Sequence, residues 1–111
     1  MNKEGKMDKQ ETKKLIEDLL EEKNAGDIIT IDISKKSSIA DYFIIATGKN
    51  LMHVKALADY IESKLEEKGI AAARKEGYSD GRWVVLDYID IIVHIFNSET
   101  RDYYCLEKLW K

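Results

Sequence analysis

The sequence predicts an α/β fold, a three-layer α/β/α domain around a mixed five-stranded sheet, and two patterns carry that expectation. One is Trp83 to Phe96, WVVLDYIDIIVHIF, the longest nearly unbroken apolar run, rich in residues that suit a pleated, packed surface. It is too long for one ordinary strand, and the polar break Asp87-Tyr88-Ile89-Asp90 divides it into the two strands of a hairpin. The other is the succession at 41–69. An apolar strand, DYFIIAT, meets the turn Gly48-Lys49-Asn50, and then Val54, Leu57, Ala58, Ile61 and Leu65 keep helical spacing as far as Gly69. Strand, glycine turn and helix together predict a right-handed β-α-β crossover, hence parallel strands in the sheet.

The remaining elements fall in around these. Residues 1–6 are charged and without pattern, a flexible lead ahead of a single domain over 7–111. Asp8 and Glu11 have capping-box spacing, and Leu15, Ile16, Leu19 and Leu20 then mark one face of a helix ending near Lys23, before Asn24-Ala25-Gly26. Asp27 to Ile33 alternates as a first strand. Asp41 to Thr47, apolar on both faces, reads as a central one. Ile70 to Glu76 is polar enough to lie near an edge, and Gly77 to Gly81 is a turn. Asn97-Ser98 opens a last helix, Glu99 to Trp110, whose Tyr103, Leu106, Leu109 and Trp110 can pack on the sheet. The order is α-β-β-α-β-β-β-α, strands grouped late, as a layered domain with a mixed sheet requires.

With Tyr88 and Ile89 as the hairpin loop, Leu86 faces Ile91, Val85 faces Ile92, Val84 faces Val93 and Trp83 faces His94. A four-residue loop from Asp87 to Asp90 keeps the same pairing. Ile89 suits a two-residue loop poorly, because such loops need positive φ and favour Gly or Asn. It would carry strain of roughly a kcal/mol. Side chains alternate along a strand, so Val84, Leu86, Ile91, Val93 and Ile95 form the core face. Trp83, Val85, Asp87, Asp90, Ile92 and His94 form the other, the candidate functional face, mixing a large aromatic, two carboxylates and an imidazole. Each has a purely structural alternative: Trp83 as a buried anchor, His94 as a packed, hydrogen-bonded ring, Asp87 and Asp90 as caps of the turn.

Composition narrows the function classes. With 111 residues, 44% of them hydrophobic, the chain is large enough for one core without staples. The single cysteine, Cys105, excludes an internal disulfide framework and fits a reduced thiol. No apolar run approaches the ~20 residues of a membrane span, and the start lacks a signal-peptide core, so a cytoplasmic protein is expected. Against 21 Asp and Glu stand 18 Lys and Arg, a net charge of -3. That argues against direct nucleic-acid readout and is compatible with a basic protein partner. RNA binding would need Lys35, Lys36, Lys49 and Lys55 to form one basic patch.

Catalytic chemistry is fragmentary. ATGKN has neither a GxGxxG nor a P-loop pattern, although Thr47, Lys49 and Asn50 place donors near a possible anion. Asp87 and Asp90 have no evident third carboxylate apart from Asp41 for a two-cation site. His53, His94 and Cys105 lack zinc-site spacing and form no supported nucleophile–base pair. No catalytic residue, metal or cofactor is expected. A nucleotidyltransferase-like nucleotide binder or enzyme is the alternative.

Four blocks, SSIADYFIIATGKN (37–50), HVKALADYIESKL (53–65), Trp83 to Phe96 and RDYYCLEKLW (101–110), together closely resemble the Iojap-type ribosomal silencing factors, RsfS. The likeness keeps their order and spacing over nearly everything from Asn24 onward. The family's usual hairpin turn reads Asp-Tyr-Gly-Asp or close to it, where this chain has Asp87-Tyr88-Ile89-Asp90. The resemblance implies a core like that of nucleotidyltransferases without their catalytic carboxylates, and a non-enzymatic repressor of translation. Such a factor binds the large ribosomal subunit through ribosomal protein L-fourteen and sterically blocks joining of the small subunit. A homodimer in the free state is compatible with the family. The contact surface carried over is Trp83, Asp87, Tyr88 and Asp90, with Ile92 and His94 on the same hairpin face.

Overall fold

The computed structural model describes residues 7–106 and 108. Helix α1 (Lys9–Glu22) starts where the capping box places it: the Asp8 carboxylate accepts from Glu11 N–H at 2.8 Å, and the Glu11 side chain accepts from Asp8 N–H at 3.1 Å. Then come β1 (Gly26–Asp32), β2 (Tyr42–Gly48), α2 (Leu51–Glu67), β3 (Arg74–Glu76), β4 (Trp83–Asp87), β5 (Ile91–Asn97) and α3 (Ser98–Tyr104), in the expected order. The sheet is mixed, in the order β1-β2-β5-β4-β3, with β2 and β5 parallel and the other neighbours antiparallel. It follows that β3 runs parallel to β2. The crossover β2-α2-β3 therefore exists, and the hairpin β4-β5 fills the space it leaves. The expected strand over 70–76 contracts to three exposed residues at the sheet edge.

Two clusters sandwich the sheet. On one face Ile16 and Leu20 of α1 and Val54, Leu57, Ile61 and Leu65 of α2 pack on Ile44, Ala46, Val84, Leu86, Val93 and Ile95. On the other, Ile31, Ile33, Ala40, Phe43, Ile45 and Phe96 cluster, with Trp83, Ile92 and Leu106 partly buried against them. Arg101 pins α3 to this second face, donating to Asp27 O at 2.6 Å and Thr47 Oγ1 at 2.7 Å. The expected run from Glu99 to Trp110 is interrupted at Cys105; Leu106 and Lys108 beyond it are again helical, and 107 and 109–111 lie outside the described residues. α3 stops at Cys105, whose φ of 49° is a left-handed C-cap, so Cys105 ends the helix instead of lying within it. Leu106 packs on the sheet as expected, while Leu109, Trp110 and the Tyr103 side chain lie outside the described residues.

The hairpin corrects the expected register. Asp87 pairs with Ile92, Leu86 with Val93, Val85 with His94, Val84 with Ile95 and Trp83 with Phe96. Tyr88 N–H donates to Ile91 O at 2.9 Å, leaving Ile89 and Asp90 as the turn, one residue later than expected. The cause is Tyr88. It continues the inward alternation of Val84 and Leu86 and buries its ring among the helices, 8% exposed, where a loop position would have left it in water. A shift of two partners preserves which residues share a face, so the expected core face stands. Ile89 stays in the turn and carries the strain expected of it: its φ is 73°, in the left-handed region, braced by its N–H on Asp87 Oδ1 at 2.9 Å. A β-branched residue there costs about 1–2 kcal/mol.

The Tyr88 hydroxyl is buried with no hydrogen-bond partner among the described residues, and burial raises the pKa of the phenol. Its ring packs, and its oxygen contributes nothing to offset desolvation. Tyr88→Phe is therefore expected to match the parent or exceed it by up to about 1 kcal/mol. Tyr88→Ala should lose about 3 kcal/mol or more. Urea unfolding midpoints of the three proteins measure both, and a clear loss in the Phe variant would mean that the hydroxyl has a partner.

Candidate functional site

The face of β4 and β5 turned away from α1 and α2 carries Trp83, Val85, Asp87, Ile92, His94 and Phe96, because alternate residues of paired strands share a face. Trp83, Val85, Asp87 and Ile92 are half-buried, whereas His94 and Phe96 are buried. The Trp83 ring stacks on Phe96 with centroids 4.8 Å apart and an interplanar angle of 28°. Its indole N–H donates to His94 Nδ1 at 3.1 Å. Phe43 closes on His94 edge-on, with centroids 4.6 Å apart. A large aromatic side chain is thus fixed on one face and at its polar end while part of it stays open. That immobility matters for binding, since a side chain ordered beforehand loses little entropy on contact.

His94 is the fixed point of this arrangement. Its Nδ1 accepts from Trp83, so the neutral ring carries its proton on Nε2, an atom with no partner among the described residues. Burial pushes its pKa down to about 4. A neutral, aromatic-packed imidazole is neither an accessible base nor a ligand; it positions Trp83.

The carboxylates divide in role. Asp87 accepts from Ile89 N–H and lies 4.0 Å from Arg74 Nε, so its charge is partly used in holding the turn. Asp90 is not on the strand face. It sits exposed at the turn, where its carbonyl accepts from Asp41 N–H at 2.9 Å and Tyr42 N–H at 3.1 Å, and Asp41 in turn pairs with Lys9. Of the six expected contact residues, Trp83, Asp87, Ile92 and His94 share one face, Asp90 lies at the turn beside Lys9, Thr12 and Tyr88, and Tyr88 is on the opposite, helix-covered face. Sequence reasoning missed Phe96 and Phe43, which back the Trp83 and His94 rings. Placing the turn one residue later would have set Phe96 opposite Trp83, and the alternation of DYFIIAT already put Phe43 on one face with Ile45.

The glycine turn is a packing device. A Cβ on Gly48 would sit 2.7 Å from Val54 Cγ2 and 2.9 Å from Val54 N, so only glycine lets α2 begin so close to β2. Lys49 N–H donates to His53 Nδ1 at 2.8 Å, and His53 N–H to Asn50 Oδ1 at 2.8 Å, which occupies two amides that an anion would need. The lysines do not form one patch: Lys35 and Lys36 precede β2 and Lys49 and Lys55 follow it, separated by a strand of roughly 20 Å. Among the described residues no group of three or more His, Cys, Asp and Glu is placed to hold a metal ion. Nor is any helix among them long and apolar enough to cross a membrane.

The model of the family described as "Ribosomal silencing factor during starvation", RsfS, matches residues 6–111. The chain belongs to the RsfS family. The Bacillus subtilis ribosomal silencing factor RsfS is 41% identical over 90 residues, which cover 81% of this chain and 76% of that protein. A crystal structure of a Chromobacterium violaceum protein superposes with a TM-score of 0.91 at 41% identity, covering 94% of this chain and 87% of that one. A more distant relative, the Mus musculus protein named "Mitochondrial assembly of ribosomal large subunit protein 1", is 32% identical over 83% of this chain and 42% of its own length.

Within this RsfS domain the buried imidazole has a measurable signature. Its folded-state pKa lies below the ordinary 6.5, so the unfolded chain binds a proton that the folded chain refuses as pH falls from about 6.5 to about 4. Stability is fully present above that window. It falls across it by up to about 3 kcal/mol and levels off below. In His94→Gln, which does not titrate but can still accept from Trp83, that part of the pH dependence should vanish. Urea midpoints of both proteins between pH 7.5 and 4.5 measure it; parallel curves would contradict the assignment.

Proposed function

We propose that this chain is a translation repressor that binds the large ribosomal subunit through ribosomal protein L-fourteen and sterically blocks joining of the small subunit. Membership of the RsfS family supports a ribosome-associated repressor, and the name of the mouse relative speaks of the large subunit. The observation that carries the docking site is Trp83, a half-open aromatic plate locked by Phe96 and His94. Interface energy concentrates on such residues. Around it Ile92 adds apolar surface, while Asp87 and, at the exposed turn, Asp90 offer acceptors for Arg or Lys of a basic ribosomal protein. His94 acts from behind Trp83, and Tyr88 acts from the opposite face by fixing the turn.

In this reading the domain has no turnover, and its likeness to nucleotidyltransferase cores is a matter of frame alone. It works in the cytoplasm, where ribosomes join, and the homodimer would belong to the free state. The nucleotide-binding alternative would have to compete for the Lys49 amide and the Asp87 carboxylate, both engaged within the chain.

Trp83→Ala, folded by circular dichroism, is expected to lose about 2 kcal/mol or more of affinity, roughly thirtyfold, in co-sedimentation with isolated large subunits. When small subunits are added, the parent should remain on free large subunits and be depleted from joined ribosomes. Its sedimentation with joined ribosomes at unchanged occupancy would rule out steric blocking.

A further inference from the structure

Two large apolar side chains stand in water at one end of the sheet: Ile89 is 63% exposed and Ile39 is 61% exposed. Their loops are tied together by the Asp41 and Tyr42 amides, which both donate to Asp90 O. Each isoleucine amide is held by a side chain two residues earlier, Asp87 Oδ1 for Ile89 at 2.9 Å and Ser37 Oγ for Ile39 at 3.1 Å. For folding, Ile89 is doubly unfavourable. Its φ of 73° strains a β-branched residue where glycine would rest freely, and its apolar surface stays hydrated. An outlier retained against such costs points to a role outside the fold.

The setting indicates the partner's chemistry. Asp41, Asp87 and Asp90 surround this end. Asp41 is paired with Lys9, which also feels the Asp90 charge, and Asp87 lies near Arg74, so three carboxylates share two cations at this end and the exposed Asp90 makes no direct ion pair among the described residues. Ile89 lies six residues beyond Trp83, roughly 20 Å along the strand. A standard interface of about 800 Å² per partner is roughly 30 Å across, so one patch spans both.

We infer that Ile89, with Ile39 beside it, is an apolar knob that seats in a cation-rimmed recess of the same basic ribosomal protein that Trp83 grips. The inference rests on the docking reading above and adds residue 89 as a determinant of affinity. The test compares Ile89→Gly, Ile39→Ser, Trp83→Ala and the parent, each by co-sedimentation with isolated large subunits and by urea unfolding. Ile89→Gly should unfold at an equal or higher urea concentration, because strain is released, yet bind roughly tenfold more weakly. Ile39→Ser should weaken binding with its unfolding midpoint unchanged. Parent-like binding by both isoleucine variants, with loss in Trp83→Ala, overturns the knob and leaves the docking reading standing. No binding by the parent overturns both. A shifted monomer–dimer equilibrium in the isoleucine variants, with subunit binding unchanged, would assign the knob to a second copy of the chain and overturn the inference.

Discussion

Everything in this domain hangs from the parallel pairing of β2 with β5, unbroken from Tyr42 and Ile91 to Gly48 and Asn97. Parallel strands need cover on both faces, and here Ile91, Val93, His94, Ile95 and Phe96 of β5 are all buried. On one side α1 and α2 provide the cover. On the other the chain uses aromatic rings, the β1–β2 connection and the end of α3. The second cover leaves β4 half open, and the candidate strip lies there. His94 follows from the same constraint. An imidazole on the central strand has no water to turn to, so it takes the Trp83 indole N–H, and that bond orders the exposed plate.

The order of elements, the capping box and the division of the hairpin into two faces were all legible, because each depends on local periodicity or on a short polar signal. The register was not. Alternation with a period of two specifies the parity of a residue and nothing more, so a pairing displaced by two partners leaves the same pattern. Turn preference, the other cue, disfavours Ile89 in either loop and so could not choose between them. Burial decided the matter. Covering the Tyr88 ring is worth roughly 2–3 kcal/mol, while the strain at Ile89 is common to both loops. Similarly, neither glycine nor proline marks the end of α3. The left-handed cap falls on Cys105, and nothing in the local sequence distinguishes that position.

Of the candidate site, the shared face of Trp83, Asp87, Ile92 and His94 was legible, and the places of Tyr88 and Asp90 were not. Trp83 and His94 were expected to touch as directly opposed residues, and they touch as diagonal ones, through a hydrogen bond that the long indole can reach. Asp87 and Asp90 were expected to act as a pair of acceptors. The turn engages Asp87, which leaves Asp90 as the more available charge. Tyr88 could not be placed without the register, since the same residue is a contact in one turn and a core ring in the other.

A steric inhibitor has different requirements from an enzyme: a rigid, complementary face and a long residence in place of a pocket and mobile catalytic groups. Residence depends chiefly on dissociation, which slows when little disorder is regained on leaving. On the proposed reading the Trp83 plate would meet that requirement, because Phe96 and His94 hold it before any partner arrives. The same construction limits how the grip can be released. With a folded-state pKa near 4, His94 stays neutral across the physiological range, so mild acidification leaves the Trp83 bond intact. On the proposed reading, release from a large subunit would act on the partner or on the exposed charges rather than through His94. A weakening of the grip through His94 would have to come at the expense of the fold itself.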